Sequence, residues 1–175
     1  MNIIDTKELK LLLSIIPNHP LTQLFHINDN SVSLSNDLNN FIKKNNFEYD
    51  ITTTDENFLE ELKNKIQDIS DKTTIHKLDL KQHRYNRHSK IYDFAFVSMN
   101  IKEIKDLGLF LKKLHTIIKN SGYLLIFVEK DQDNLQEILQ LLEDKLYVAI
   151  NTIDISPNYE VISAKKMHGW GDSQI

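Results

Sequence analysis

The polar side chains best placed for chemistry stand just after short apolar runs. Asn28, Asp29 and Asn30 follow Thr22 to Ile27, Asp55 follows the β-branched stretch Tyr49 to Thr53, Asp79 and Leu80 close Thr73 to Leu78, and Ser98, Met99 and Asn100 follow Phe94 to Val97. If those runs are parallel strands, their carboxyl ends form the rim where open α/β sheets bind ligands, which makes these residues candidates for binding. Each also has a structural use. Asp55 is a good N-cap for a helix beginning at Glu56, Asn100 suits a cap as well, and Asp79 can be an ordinary loop aspartate. A second cluster, Lys81, His83, Arg84, Arg87, His88 and Lys90 around Tyr85, could hold an anionic substrate or a partner's acidic face, since Arg offers a planar fork of donors; a solvated basic loop is the alternative. His76, His83 and His88 do not make a helical i, i+4 pair with a carboxylate in reach, so no metal site is expected. His26 and His115 fall on apolar elements and read as structural histidines. The chain has no cysteine, which excludes thiolate nucleophiles, disulfides and cysteine zinc sites.

These residues must be positioned by the elements between them. The unit around Tyr92 to Glu129 reads as strand, helix, strand: Phe94 to Val97 and Tyr123 to Val128 are runs suited to strands covered on both faces. Between them Ile104, Leu107, Leu111, Leu114 and Ile118 form one helical stripe. This is a βαβ crossover, expected to be right-handed. The pattern predicts that the helix runs to Asn120-Ser121-Gly122, with Gly122 at positive φ and Lys119 at the negative end of the helix dipole. Upstream, Asp5 and Glu8 make a capping box for a helix bearing Leu9, Leu12, Leu13 and Ile16, ended by Pro17 and Pro20. Asn28-Asp29-Asn30 reads as a turn in which Asn or Asp adopts the left-handed region. Ser31 to Leu34 reads as a hairpin arm or, preferably, as the approach to a helix capped by Ser35 with Leu38, Phe41 and Ile42 inward. A further helix follows Asp55, with Phe58, Leu59, Leu62, Ile66 and Ile69 inward, and another carries Leu135, Ile138, Leu139 and Leu142. Leu146 to Ile155 and Tyr159 to Lys165 read as strands joined at Ser156-Pro157-Asn158, a joint too short for a parallel crossover, so they are expected to be antiparallel.

The 175 residues fit a single domain spanning 1–175, with an N-terminal helix in 1–20 and a tail over 167–175. The net charge of −4 argues against bulk attraction to nucleic acid or anionic membrane. No apolar run approaches the roughly 20 residues of a membrane helix, and the first residues lack the pattern of a secretion signal, so a cytoplasmic location is expected. Trp170 in the tail, between Gly169 and Gly171, could anchor a contact with the same chain, a second copy or another protein; a frayed terminus is the alternative.

Taken together, the alternating strands and helices with a closing antiparallel pair resemble the Rossmann-like class I S-adenosylmethionine-dependent methyltransferases over Thr22 to Lys166. The best local matches are Tyr92-Asp93 opening the fourth strand and Ile117 to Ile126, where a helix runs through a Gly-punctuated turn into the fifth. The resemblance implies an α/β fold: a three-layer Rossmann-like sandwich on a mostly parallel sheet with a C-terminal antiparallel hairpin. It also implies S-adenosylmethionine as cofactor. By the same resemblance Asp55 matches the carboxylate for the ribose hydroxyls, Asp79 the acceptor for the adenine amino group, and Leu80 a backbone donor to the ring. Asn28, Asp29 and Asn30 stand in the cofactor turn, and Ser98 lines the crevice. One departure is clear. The family's acidic residue is replaced by His26 and its glycine-rich turn by Asn28-Asp29-Asn30, with no glycine, although glycine lets a backbone approach a ligand closely. Two readings follow: a remodelled cofactor site, or a fold that has given up the cofactor and serves partner binding. The motif of base-amino methylases is absent after the fourth strand, where Ser98-Met99-Asn100-Ile101 stands, so the implied substrate is a small molecule or a protein group rather than a nucleic-acid base. A nicotinamide enzyme would need G-x-G-x-x-G after the first strand, which is missing.

Overall fold

The computed structural model describes residues 6–66, 68–130 and 134–167. Asp5, half of the expected capping box, and Trp170 with its flanking glycines lie outside the described residues.

Five parallel strands, β1 (Gln23–Asn28), β2 (Glu48–Thr53), β3 (Thr73–Lys77), β4 (Tyr92–Ser98) and β5 (Ile118–Glu129), are joined by β6 (Tyr147–Asp154) and β7 (Tyr159–Lys166) in one sheet of order β3-β2-β1-β4-β5-β7-β6. β7 is antiparallel to β6, as the short joint requires, and also to β5. The chain turns to the opposite side of β1 when it enters β4, so the exits of β1 and β4 lie at the point where the strand order reverses.

Both faces of the central strands are apolar because each face is covered. Leu24, Phe94, Phe96, Leu125 and Phe127 pack under the helices α1 (Thr6–Leu13), α2 (Val32–Asn45) and α3 (Glu56–Lys65). The alternate residues Phe25, Ile27, Ala95, Val97, Leu124 and Ile126 pack under α4 (Leu107–Ile117) and α5 (Leu135–Asp144). This is the expected α/β three-layer sandwich. The pair Tyr92-Asp93 secures the entry end of the sheet: the Tyr92 hydroxyl donates to Asp50, and Asp93 Oδ2 accepts from Gln23 N at 2.9 Å and Lys119 Nζ at 2.8 Å.

Several boundaries differ from the sequence expectation, each for a local reason. α2 starts at Val32 with Ser31 as cap, not Ser35, because Ser31 Oγ reaches Leu34 N at 3.2 Å while Ser35 is drawn into the interior. Ile69 is 40% exposed and does not continue the inner face of α3, which ends at Lys65. The helix of the crossover is shorter at both ends: Ile101–Glu103 form a separate 3-10 turn, and Ile118 leaves the helix to pair with Tyr92. The end of α4 is satisfied not by Lys119 but by the buried Lys166, whose ammonium donates to the carbonyls of His115 at 2.8 Å and Ile118 at 3.1 Å, where the helix dipole is negative.

Residues 119–122 form a bulge opposite Asp93, and its positive-φ residue is Ser121 (φ 65), not Gly122. Gly122 is needed for space. A Cβ there would stand 2.7 Å from Ile118 Cγ2 and 2.9 Å from the carbonyl oxygens of Asp93 and Lys119. Gly122→Ala is therefore expected to lower stability by about 1 to 3 kcal/mol, read from a urea melt; an unchanged midpoint would show that the bulge yields freely.

Candidate functional site

The bend after β1 is built around Asn28, which is fully buried. Its Oδ1 accepts from Asn30 N at 3.1 Å and Ser31 N at 3.0 Å, so one side chain closes the turn and anchors the first turn of α2. Its Nδ2 donates to the Ser31 carbonyl and to Ser35 Oγ, both at 2.7 Å. The side chain does here what a left-handed residue was expected to do. The described non-glycine residues with positive φ are Leu21, Asn46, Asp68, Lys90, Ser121, Leu146 and Ala149, and none belongs to the bend.

Asn28 is also one member of a buried polar network beneath α2. The Tyr49 hydroxyl lies 2.7 Å from His26 Nδ1, His26 Nε2 lies 2.7 Å from Ser98 Oγ, Ser98 Oγ donates to Asn28 Oδ1 at 3.0 Å, and Asn28 Nδ2 donates onward to Ser35 Oγ. The single Ser98 proton goes to Asn28. His26 must then carry its proton on Nε2, leaving Nδ1 to accept from Tyr49, and every donor from Tyr49 to Asn28 points the same way along the network. Such networks reinforce themselves in a low-dielectric interior. Burial holds the His26 pKa down at about 3, so the imidazole is neutral, and burial likewise pushes the Tyr49 hydroxyl above its usual range. The sequence showed His26 as a structural histidine but gave no sign of the network: its members come from β1, α2, β2 and β4, and only the sheet register brings them together.

The other expected site residues are placed as follows. Asp29 bridges from β1 to the end of β2: Oδ1 accepts from Thr53 Oγ1 (2.6 Å) and Thr54 N (2.8 Å), and Oδ2 from Thr54 Oγ1 (2.6 Å). Asp55 caps α3 by accepting from Phe58 N at 2.8 Å. Asp79 is exposed and accepts from Lys81 N at 2.9 Å, and the half-buried Leu80 gives its carbonyl to Lys113 Nζ at 2.7 Å. Asn100 caps the 3-10 turn by accepting from Lys102 N. Asn28, Asp29 and Ser98 are thus brought together at the exits of β1, β2 and β4, with Asp55 following β2, whereas Asp79 and Leu80 belong to the connection after β3. Asn30 Oδ1 is buried and meets no donor.

No family model matches the chain, and no curated protein matches it. Solved structures do. A CurJ carbon methyltransferase superimposes with a TM-score of 0.76 at 13% identity, over 91% of this chain and 52% of that one. A Haemonchus contortus phosphoethanolamine N-methyltransferase 2 in complex with S-adenosyl-L-methionine gives 0.73 at 13% identity, over 93% and 52%. A SAM dependent methyltransferase from Aquifex aeolicus gives 0.69 at 14% identity, over 93% and 90%. The chain spans about half the length of the first two. At these identities the likeness is one of fold: the chain has the fold of S-adenosylmethionine-dependent methyltransferases.

Proposed function

We propose that this chain is a methyltransferase-fold module that acts by binding a partner rather than by transferring a methyl group. The observation that carries this reading is the side chain of Asn28. In the resemblance its position belongs to a glycine-rich turn; here it carries an amide engaged in five hydrogen bonds. His26 and Ser98 belong to the same hydrogen-bonded network, and the Asp29 carboxylate is occupied by Thr53 and Thr54. A ligand entering from the strand exits would have to displace bonds that are already made in a buried setting, at a cost of about 1 to 3 kcal/mol for each group left unpaired. The residues present do not fit S-adenosylmethionine. Large exposed apolar side chains at Leu11, Ile15 and Leu21 give the module surface suited to a partner.

A second reading, a methyltransferase acting on a small molecule or protein group, is favoured by one atom. Asn30 Oδ1 is a buried acceptor without a donor, and an incoming ligand amine or hydroxyl would satisfy it. One measurement separates the two. S-adenosylhomocysteine at a hundred times its Kd would stabilise the fold by about 2.7 kcal/mol. The expected result is no change in melting temperature at millimolar ligand; a rise of several degrees would overturn the binding-module reading and support the enzyme.

A further inference from the structure

We propose that the concavity between β3 and the β3–β4 connection is a binding site for the phosphate groups of a small, multiply charged ligand. It encloses about 480 Å³ and is lined by His76, Lys77, His83, Arg84 and Arg87 together with Gln82, Tyr85 and Asn86. No carboxylate lines it. The two arginines are the only ones in the sequence, three residues apart. Among the described residues, neither makes an ion pair or a hydrogen bond, while Lys43, Lys63, Lys65, Lys77, Lys119 and Lys130 all pair with acids. An acidic chain has placed its two unneutralised guanidinium forks together on one concave surface.

The connection is held in place rather than left to drift. Tyr85 is buried, its ring 5.8 Å from Phe110, with the Lys113 ammonium 5.2 Å over its face. Lys113 in turn donates to the Leu80 carbonyl. On the far side, Asn86 donates to the Tyr92 hydroxyl at 2.8 Å and accepts from His88 N at 3.0 Å. Arg84 and Arg87 therefore flank a fixed pair of anchors, and the ordering cost of gathering them around a ligand is reduced.

The arrangement points to phosphate and to a small ligand. Donors approach from two guanidinium groups and two imidazoles, which suits the several oxygens of a tetrahedral anion better than the single edge of a carboxylate. The volume lies in the range of small-molecule sites. The flanks carry Glu56, paired with Lys77, and Asp79, so the positive surface ends at the rim and does not extend into the stripe a nucleic acid would need. None of this depends on whether the strand-exit crevice binds a cofactor.

The test is a titration of the full chain with inorganic pyrophosphate at constant ionic strength, followed by amide chemical shifts. Saturable shifts confined to residues 76–88 are expected, with R84Q/R87Q weakening binding at least tenfold while the melting temperature stays unchanged, because both side chains are exposed. Shifts scattered over the lysine-bearing surface, no shifts at all, or equal affinity in the double variant would overturn the site. Citrate binding as tightly as pyrophosphate would overturn the phosphate assignment.

Discussion

Lowering the pH from 7 to 5 is expected to remove about 2 kcal/mol of folding stability through His26 alone. In the unfolded chain this imidazole titrates near pH 6.5, and in the folded protein burial lowers its pKa to about 3. Between those values the unfolded state binds a proton that the folded state refuses. The contribution of neutral His26 is therefore intact above about pH 6.5 and is lost progressively as pH falls towards 3, at about 1.4 kcal/mol per pH unit. Burial together with the two bonds His26 makes explains why the folded state refuses the proton. A second proton would have to go to Nδ1, turning the acceptor of the Tyr49 hydroxyl into a donor and breaking the one-way order of the bonds. The check compares urea unfolding at the two pH values for the wild type and His26→Leu. The variant should be weaker at pH 7, since Tyr49 and Ser98 each lose a partner, but its stability should fall by about 2 kcal/mol less between pH 7 and pH 5. Equal losses in both proteins would mean that His26 is not held neutral by the fold.

Asn28→Leu is expected to cost about 3 to 5 kcal/mol, a large share of the 5 to 15 kcal/mol typical of folded domains. Leucine has nearly the shape of asparagine and no polar atom. It would leave the buried Ser31 N–H, the part-buried Asn30 N–H and the Ser98 hydroxyl without their acceptor, and the Ser35 hydroxyl without one donor. Ser35→Ala is the control: it removes one link and should cost about 1 kcal/mol. A loss below about 1 kcal/mol for Asn28→Leu, measured from the urea midpoint, would show that the bend relaxes and that Asn28 does not hold it shut. The result bears on function, because a bend that relaxes easily is also one that a ligand could open.

The candidate site was legible only in part. The sequence marked the strand-exit residues because the apolar runs before them are short and end abruptly, and Asp55 and Asn100 could be given cap roles from position alone. What Asn28, Ser98 and Asp29 do could not be read this way. Ser98 is 70 residues from Asn28, and Thr54 is 25 residues from Asp29; no local pattern links them. That Tyr85 and Asn86 anchor the basic connection could not be read from the sequence either, since their partners Phe110, Lys113 and Tyr92 come from other elements.

What the sequence determined by itself is the architecture. The strand-helix alternation, the antiparallel closing pair, the apolar faces and the caps at Asp55 and Asn100 are local or periodic, and local sterics and the burial of apolar side chains act on them wherever they occur. Tertiary structure decided where the crossover helix ends, which residue takes positive φ in the bulge, and which polar atoms at the strand exits bond to each other. The physical reason is that hydrogen bonds between distant side chains depend on sheet register and on burial, and a one-residue shift in either would assign the same letters to different partners.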